Sequence, residues 1–269
     1  SELNKFDEVW AFSQFIKDGI TNAGFQKPIH LILQSADRIK VPKYGRDHFN
    51  LPEGSFIFLA SGDMYSYYKR KNLEGAIEAF TECFEISPEK DVRLVLKISN
   101  GQDFKHQTSE IVNKIQCLNP DVRDRIIIWE SCLNDDEMKS LLMASDCVVS
   151  LHRAEGFGRL TAEALVNGIP AVSTAYSGSL TFTSELTELL VPYHLCPIKK
   201  GEYVHSEGQQ WAEPHKDVAA NIMTKLVNDF EFYEKCSRAC FSNGTKYLTK
   251  HAVGASILRR LYAIGPNPS

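Results

Sequence analysis

Two glutamates bracket a glycine turn near the middle of the chain. Glu155 precedes Gly-Phe-Gly at 156–158, and Glu163 lies eight residues after Glu155, inside a predicted helix. A pair of carboxylates could hydrolyse a glycosidic bond, which requires carboxyl groups about 5–9.5 Å apart. Eight helical positions would place the two Cα atoms about 12 Å apart. Because Glu155 lies in a turn, the separation can be shorter, and the spacing does not exclude a catalytic pair. The alternatives are two contacts to one extended ligand, or the surface position usual for a single glutamate.

The glycine turn is predicted to connect a buried strand to a helix. The strand is DCVVSL at 146–151, and the helix covers 159–167, with Gly168 as its C-terminal cap. In an open parallel sheet, ligands bind beyond the carboxyl ends of the strands. Free amides at the helix start favour an anion, and the glycines let the backbone approach it closely. The turn therefore has the parts of a phosphate site, although the glycines alone fit a ligand-free turn equally well.

A basic triplet, Lys69-Arg70-Lys71, follows a second predicted strand at 55–60. Such a triplet is usually a solvated turn. Its position beyond a second parallel strand makes neutralisation of a diphosphate the alternative.

Apolar, β-branched runs alternate with helical patterns along most of the chain. Continuous apolar strands separated by helices predict an α/β fold, a Rossmann-like, doubly wound parallel sheet covered on both faces. The strands are expected at 28–33, 55–60, 92–98, 125–129, 146–151, 169–174 and 187–191. The helices are expected near 72–86, 104–117, 134–143 and 159–167, with 215–263 mostly helical.

Composition and charge restrict the class of protein. The chain has 269 residues, of which 43% are hydrophobic and 24% charged, as in a soluble globular protein. A net charge of −4 does not favour nucleic acid as a partner. No apolar run reaches membrane-spanning length, and the N-terminus has no signal-peptide pattern. The seven cysteines show no metal or disulfide spacing, which favours a reducing, cytoplasmic location.

Residues 1–30 are predicted to form one strand and one short helix, too little for a core of their own. We expect them to be the tail of a preceding domain, followed by a main domain over 31–230 and a helical segment over 231–269. The chain also begins without Met, which suggests a piece of a longer protein.

Three segments in order resemble retaining glycosyltransferases of family 4. AEGFGRLTAEALVNGIPAVSTAYSG at 154–178 resembles the E-x7-E motif and its flanks. RKN…AIEAF at 70–80 and WAEPHKDVAANIM at 211–223 resemble two further segments of the family. The resemblance extends from about residue 5 to residue 260 and implies a glycosyltransferase-B fold, in which two Rossmann-like halves face a cleft. This chain resembles mainly the C-terminal half, which binds the nucleotide-sugar donor.

The resemblance also implies roles for individual residues. Glu155 would be the catalytic residue and contact the sugar hydroxyls, and Glu163 would bind the ribose. Arg70 and Lys71 would bind the diphosphate, and Leu133 would border the base. The backbone amides that would cradle the sugar and diphosphate belong to Phe157, Gly158, Arg159, Leu160 and Thr161. At Gly62-Asp63 the sequence departs from the Gly-Arg of many members, and Arg70 would substitute for that arginine.

The resemblance further implies reaction partners. The donor would be a nucleotide-diphosphate sugar and the acceptor a glycan or a lipid-linked glycan, as in polysaccharide biosynthesis in the cytoplasm or at the inner face of the membrane. The sequence contains no Asp-x-Asp, so we expect no metal; it also lacks G-x-G-x-x-G and the phosphate-loop lysine motif, and we expect no cofactor. The surface facing the missing half would be apolar and covered by that half or by a second copy. A sugar-nucleotide epimerase and a non-catalytic nucleotide-sugar-binding module remain as alternatives.

Overall fold

A computed structural model describes residues 2–265 of the chain. The strands are β1 Val9–Ala11, β2 Ile29–Leu31, β3 Phe56–Asp63, β4 Val92–Ser99, β5 Ile126–Trp129, β6 Cys147–Ser150, β7 Ala171–Thr174, β8 Leu190–Val191, β9 Tyr193–Pro197 and β10 Gln210–Pro214. The helices are α1 Gln14–Asn22, α2 Tyr68–Lys71, α3 Leu73–Ile86, α4 Lys105–Gln116, α5 Pro120–Arg123, α6 Asp135–Met143, α7 Arg159–Val166, α8 Leu180–Thr183, α9 Lys216–Asn228, α10 Phe230–Tyr247 and α11 Lys250–Ile264.

Six parallel strands form the central sheet, in the order β5-β4-β3-β6-β7-β8. From β3 the chain adds β4 and β5 on one side of the sheet, and it then adds β6, β7 and β8 on the other side of β3. The carboxyl ends of β3 and β6 are therefore the switch point of a doubly wound sheet. The sheet is flanked by helices, among which α3 packs on α9 and α7 on α10. Its strands are mostly apolar because both faces are covered, and Ile57, Leu59, Leu94 and Leu96 are fully buried. The predicted fold class is confirmed.

Local capping explains where the helices beside the site begin. Asn72 adopts the left-handed conformation (φ 55°), and its side chain accepts a hydrogen bond from the amide of Gly75 at the start of α3. Asn134 and Glu137 form a capping box at the start of α6. These side chains satisfy amides that the first turn of a helix leaves unpaired.

We expected the strand at 28–33 to join the main sheet, but it does not. Residues Ile29–Leu31 instead pair in parallel with Val9–Ala11, and α1 connects the two strands. The amino-acid pattern defines a strand but not its partner, and here the preceding strand is the partner. This β1-α1-β2 unit is joined to the C-terminal helix α11, where Arg260 Nε donates to Glu8 at 2.9 Å.

The C-terminal third of the chain differs from the prediction in one feature. Residues 193–214 contain an antiparallel pair, β9 and β10, that was not predicted because its strands carry alternating polar and apolar residues and a proline each. The segment 215–263 is helical as predicted, divided into α9, α10 and α11. No helix within residues 2–265 has both the length and the apolar character needed to cross a membrane.

Candidate active site

Glu155 lies between two cations at the switch point of the sheet. Its side chain is only 10% exposed; Oε1 is 2.5 Å from Lys71 Nζ, and Oε2 is 3.1 Å from Arg70 Nη1. Burial by itself would raise the pKa of Glu155, but the charges of Lys71 and Arg70 hold it below its usual value. The structure thus brings together three residues that were predicted from two separate segments of the sequence. Their charges favour the ionised form of the carboxylate.

The short helix α2 carries both cations and is fixed to the loop that follows β6. Arg70 Nη1 donates to the carbonyl of Ala154 at 2.6 Å, and the amide of Arg153 donates to the carbonyl of Arg70 at 2.8 Å. Because these bonds join the segments after β3 and β6, they set the position of the cations relative to Glu155.

Arg153 is a positioning residue that the sequence reasoning missed. Its guanidinium donates to the carbonyl of Lys69 at 2.6 Å and to the carboxylate of Glu213 on β10 at 2.5 Å, and it lies over the ring of Trp211. It therefore links α2, the Glu155 loop and the β9–β10 pair. Its place two residues before Glu155 was the available signal, but Glu213 is too distant in sequence to reveal the pairing.

The start of α7 has the backbone geometry that anion binding requires. Gly158 is the N-cap residue with φ +92°, a conformation that glycine adopts without strain, and it has no side chain to cap the helix. The hydroxyl of Thr161 is buried and has no hydrogen-bond partner within the described part of the chain. The amides of the first turn thus belong to a helix start with no capping side chain, as the phosphate-site prediction requires.

A second loop, at 175–179 after β7, closes tightly over the glycine turn. The amide of Gly178 donates to the carbonyl of Glu155, and the hydroxyl of Ser177 accepts from the amide of Glu155, both at 2.8 Å. A Cβ atom on Gly178 would lie 2.1 Å from the carbonyl oxygen of Gly156. The side chain of Phe157 packs on Phe182 in the core, so only its backbone is available to a ligand.

Glu163 faces a different cavity from Glu155. It pairs with Arg159 at 3.0 Å and lines a cavity of about 120 Å³ together with Asp37 and Lys139, and burial raises its pKa. Glu155 lines a separate cavity of about 670 Å³. Carboxylates that flank one scissile bond would share a cavity, so this arrangement does not favour the acid–base pair left open by the spacing.

The carboxyl edge of β3 and β4 contains a carboxylate, Asp63, at the position where the family resemblance led us to expect an arginine. Asp63 accepts hydrogen bonds from Asn100 Nδ2 at 2.8 Å and from the amide of Tyr65 at 3.0 Å. Lys97, a second cation missed by the sequence reasoning, is 6% exposed at this edge, and burial lowers its pKa. Leu133, expected to border the base, packs partly buried against the core just before α6. Position 63 therefore supplies a carboxylate and no cation, and Arg70 is the arginine that this site offers to a diphosphate.

His152 is held as a buried structural residue. Its ring nitrogens contact the carbonyl of Tyr176 and both oxygens of Ser150 at 3.0–3.1 Å, and burial lowers its pKa. No group of three or more metal-ligating side chains occurs within residues 2–265.

The family described as Glycosyl transferases group 1 matches residues 55–195, which span both loops of the site. The chain belongs to this family. No curated protein matches the sequence.

Solved structures match the group 1 chain in fold. HepE from Anabaena, in complex with UDP, has a TM-score of 0.72 at 17% identity, with 97% of this chain and 65% of that chain covered. Sucrose-phosphate synthase from Thermosynechococcus elongatus has a TM-score of 0.69 at 19% identity, with 96% and 59% covered. A pneumococcal O-GlcNAc transferase, GtfA, in complex with UDP and GlcNAc, has a TM-score of 0.65 at 16% identity, with 98% and 47% covered. This group 1 chain spans less than two thirds of each of them.

Proposed function

We propose that this chain binds a nucleotide-diphosphate sugar and forms the donor-binding half of a retaining hexosyltransferase of family 4. The observation that carries the proposal is the buried carboxylate of Glu155 between Lys71 and Arg70, beside the start of α7. A carboxylate that contacts sugar hydroxyls, cations for a diphosphate and an uncapped helix start are the three elements that this donor requires. The UDP in the structure of HepE supports a nucleoside diphosphate as part of the ligand.

The donor would extend from Glu155 across the start of α7 to Glu163. Arg70, Lys71 and the amides of 157–161 would hold the diphosphate, and Glu163 would accept hydrogen bonds from the ribose. The two cavities on which the glutamates lie suit a ligand with two distant ends. Leu133 would border the base.

In the transfer step, the bond between the anomeric carbon and the diphosphate oxygen breaks, and a bond to the acceptor oxygen forms on the same face. The acceptor proton passes to the leaving diphosphate. Charge therefore develops on the diphosphate, where Arg70, Lys71 and the helix start would stabilise it. Fixed donors of this kind lower a barrier because they need no reorganisation during the reaction.

A second half would cover the β1-α1-β2 unit and α11. A parallel sheet of two three-residue strands is unusual alone, because parallel sheets are covered on both faces. In these elements and the residues next to them, five large apolar side chains expose 37–74% of their surface: Phe6, Phe12, Leu31, Leu258 and Tyr262. An apolar surface of this type marks an interface. We place the acceptor-side half there, with a second copy of the chain as the substitute in its absence.

A binding screen tests the proposal. We expect UDP, GDP or ADP, alone and as sugar nucleotides, to bind the chain in calorimetric titrations, and Lys71→Met to weaken the best ligand at least tenfold. Lys235→Met, which removes a lysine from a surface ion pair on α10, is the matched control and should bind as the wild type does. Failure of all three nucleotides to bind, or equal affinity in both variants, would contradict the proposal.

A further inference from the structure

Tyr67, the residue that precedes α2, has a backbone conformation that bulky residues rarely adopt. Its φ is +60° and its ψ is 87°, in the left-handed region that favours glycine. A bulky residue in this region is strained, and it keeps the conformation only where the surrounding structure holds it there. The next four residues form α2, which carries Arg70 and Lys71.

The other end of α2 is also left-handed, but it is fixed by hydrogen bonds. Asn72 has φ +55°, a conformation that asparagine tolerates. Its side chain donates to the carbonyl of Leu151 at 2.8 Å and accepts from the amide of Gly75 at 3.2 Å. The side chain of Tyr67, in contrast, makes no capping bond at the start of α2. The conformation of Tyr67 therefore depends on the packing of its ring.

The ring of Tyr67 packs against Tyr203, in the loop that joins β9 to β10. The two ring centroids are 4.6 Å apart, with 56° between the ring planes. An aromatic pair and a strained backbone residue have free energies of comparable size and opposite sign, so the pair can offset the strain. Both side chains are 37% exposed, so either ring can be removed without leaving a buried cavity.

The loop that carries Tyr203 is held in place by other contacts. The amide of Ile198 donates to the carbonyl of Gln209 across the base of the loop at 3.0 Å. On β10, the amide of Ala212 donates to the carbonyl of Arg153 at 3.0 Å, and Arg153 is also bonded to α2. The β9–β10 pair is thus anchored beside α2 independently of the two rings.

We propose that Tyr203 is a positioning residue: it holds Tyr67 in the left-handed conformation and thereby places Arg70 and Lys71 beside Glu155. The proposal rests on the proposed function, in which these two cations bind the diphosphate of the donor. Arg70 is coupled directly to the strained residue, because its amide donates to the carbonyl of Tyr67 at 2.9 Å. Without the ring of Tyr203, relaxation of Tyr67 to negative φ turns the start of α2 and moves the cations.

Glycine and alanine at position 67 separate the role of the backbone from that of the ring. Both lack the ring, but only glycine adopts positive φ without strain. Tyr67→Gly should therefore bind the best nucleoside diphosphate within about threefold of the wild type, whereas Tyr67→Ala and Tyr203→Ala should each lose at least about fivefold in affinity. Adding Tyr203→Ala to Tyr67→Gly should have no further effect. Tyr203→Phe keeps the ring pair and should bind as the wild type does.

Calorimetric titration measures these affinities, with Phe230→Ala as the control that removes an exposed aromatic side chain from α10. Hydrogen exchange, measured by NMR on the 269-residue chain without ligand, reports on α2 itself. The amide of Arg70, which is bonded to Tyr67, should exchange at least about fivefold faster in Tyr203→Ala than in the wild type or in Phe230→Ala.

The remaining outcomes separate this proposal from the proposed function. Equal affinity of Tyr67→Gly and Tyr67→Ala, unchanged affinity in Tyr203→Ala, or a double variant about fivefold weaker than Tyr67→Gly would each overturn the role of Tyr203. Failure of every nucleotide to bind the wild type would refute the proposed function instead. The exchange rate of the Arg70 amide then decides the positioning role: a faster rate in Tyr203→Ala supports it, and an unchanged rate refutes it.

Discussion

The ammonium of Lys71, on α2, lies 2.5 Å from the carboxylate of Glu155, which comes 84 residues later in the chain. The cation proposed for the diphosphate thus neutralises the carboxylate proposed for the sugar. A diphosphate that binds Lys71 and Arg70 must share them with Glu155 or displace it. The site is consequently a set of coupled charges, and a change at Glu155 should weaken binding at the sugar end of the donor without weakening it at the diphosphate end.

Replacing the two glutamates should separate their roles. Glu155→Gln should weaken the sugar nucleotide, since a hydrogen bond to a charged acceptor contributes about 1.5–3 kcal/mol. The same change should leave the free nucleoside diphosphate unchanged or bound more tightly, because both cations lose their competing carboxylate. Glu163→Gln should weaken both ligands through the ribose. Calorimetric titration of each variant with each ligand measures these affinities. Equal effects of both substitutions on both ligands would refute the separate roles of the two glutamates.

The ion pairs of Glu155 should make stability depend on pH. Because its pKa is below the usual 4.5 in the folded chain, its contribution is fully present above about pH 4.5 and is lost as the pH falls through the folded value. Removing one partner of a buried pair costs about 3–5 kcal/mol. Urea unfolding of the wild type and of Glu155→Gln, measured from pH 7 to pH 3.5, gives the free energy of unfolding of each. The difference between these two free energies should decrease only at the acid end of the range. A difference that is constant over this range would contradict the assignment.

Gly178→Ala should displace the glycine turn, because its Cβ atom would lie 2.1 Å from the carbonyl oxygen of Gly156. We expect nucleotide affinity to fall at least tenfold and stability to fall by about 1–3 kcal/mol, as for other overpacked sites. Gly254→Ala, at an open position, is the control and should retain full affinity. Titration and thermal unfolding of both variants measure the effects. Full affinity in Gly178→Ala would show that the turn does not contact the ligand.

Donor binding should not depend on a metal ion. Lys71, Arg70 and the start of α7 can neutralise the diphosphate without one. The best nucleotide should therefore bind with similar affinity with and without EDTA. A loss of more than about tenfold, or 1.4 kcal/mol, on chelation would refute this prediction.

Transfer should require the covering half. Orientation of reactants can contribute about 7–11 kcal/mol to a barrier, so the chain by itself should transfer sugar negligibly while still binding the donor. Assaying this chain beside a longer version that carries a second Rossmann-like half, with the donor identified by the binding screen, measures the difference. Comparable rates from the two would contradict the half-enzyme proposal.

The sequence by itself determined the class of the fold and the residues around the glycine turn. The strands of the main sheet are largely apolar runs. Gly168, expected as the C-terminal cap of α7, adopts the left-handed conformation one residue beyond the observed cap, Asn167. Such signals are local, because burial on both faces and the pairing of terminal amides depend on neighbouring residues. The E-x7-E spacing is local in the same sense, so Glu155 and Glu163 can be predicted as site residues from the sequence by itself.

Only the tertiary structure decided which distant groups meet. Lys97 and Arg153 have no motif, and the role of Arg153 depends on Glu213, 60 residues away. The large cavity exists because Ser13 reaches Gly156 across 143 residues and the β9–β10 pair closes the opposite side. The pairing of β2 with β1, and not with the main sheet, likewise depends on tertiary packing. A residue's neighbours along the chain set its local conformation, but contacts between remote segments form only when the sheet and helices pack, because that packing brings their side chains within bonding distance.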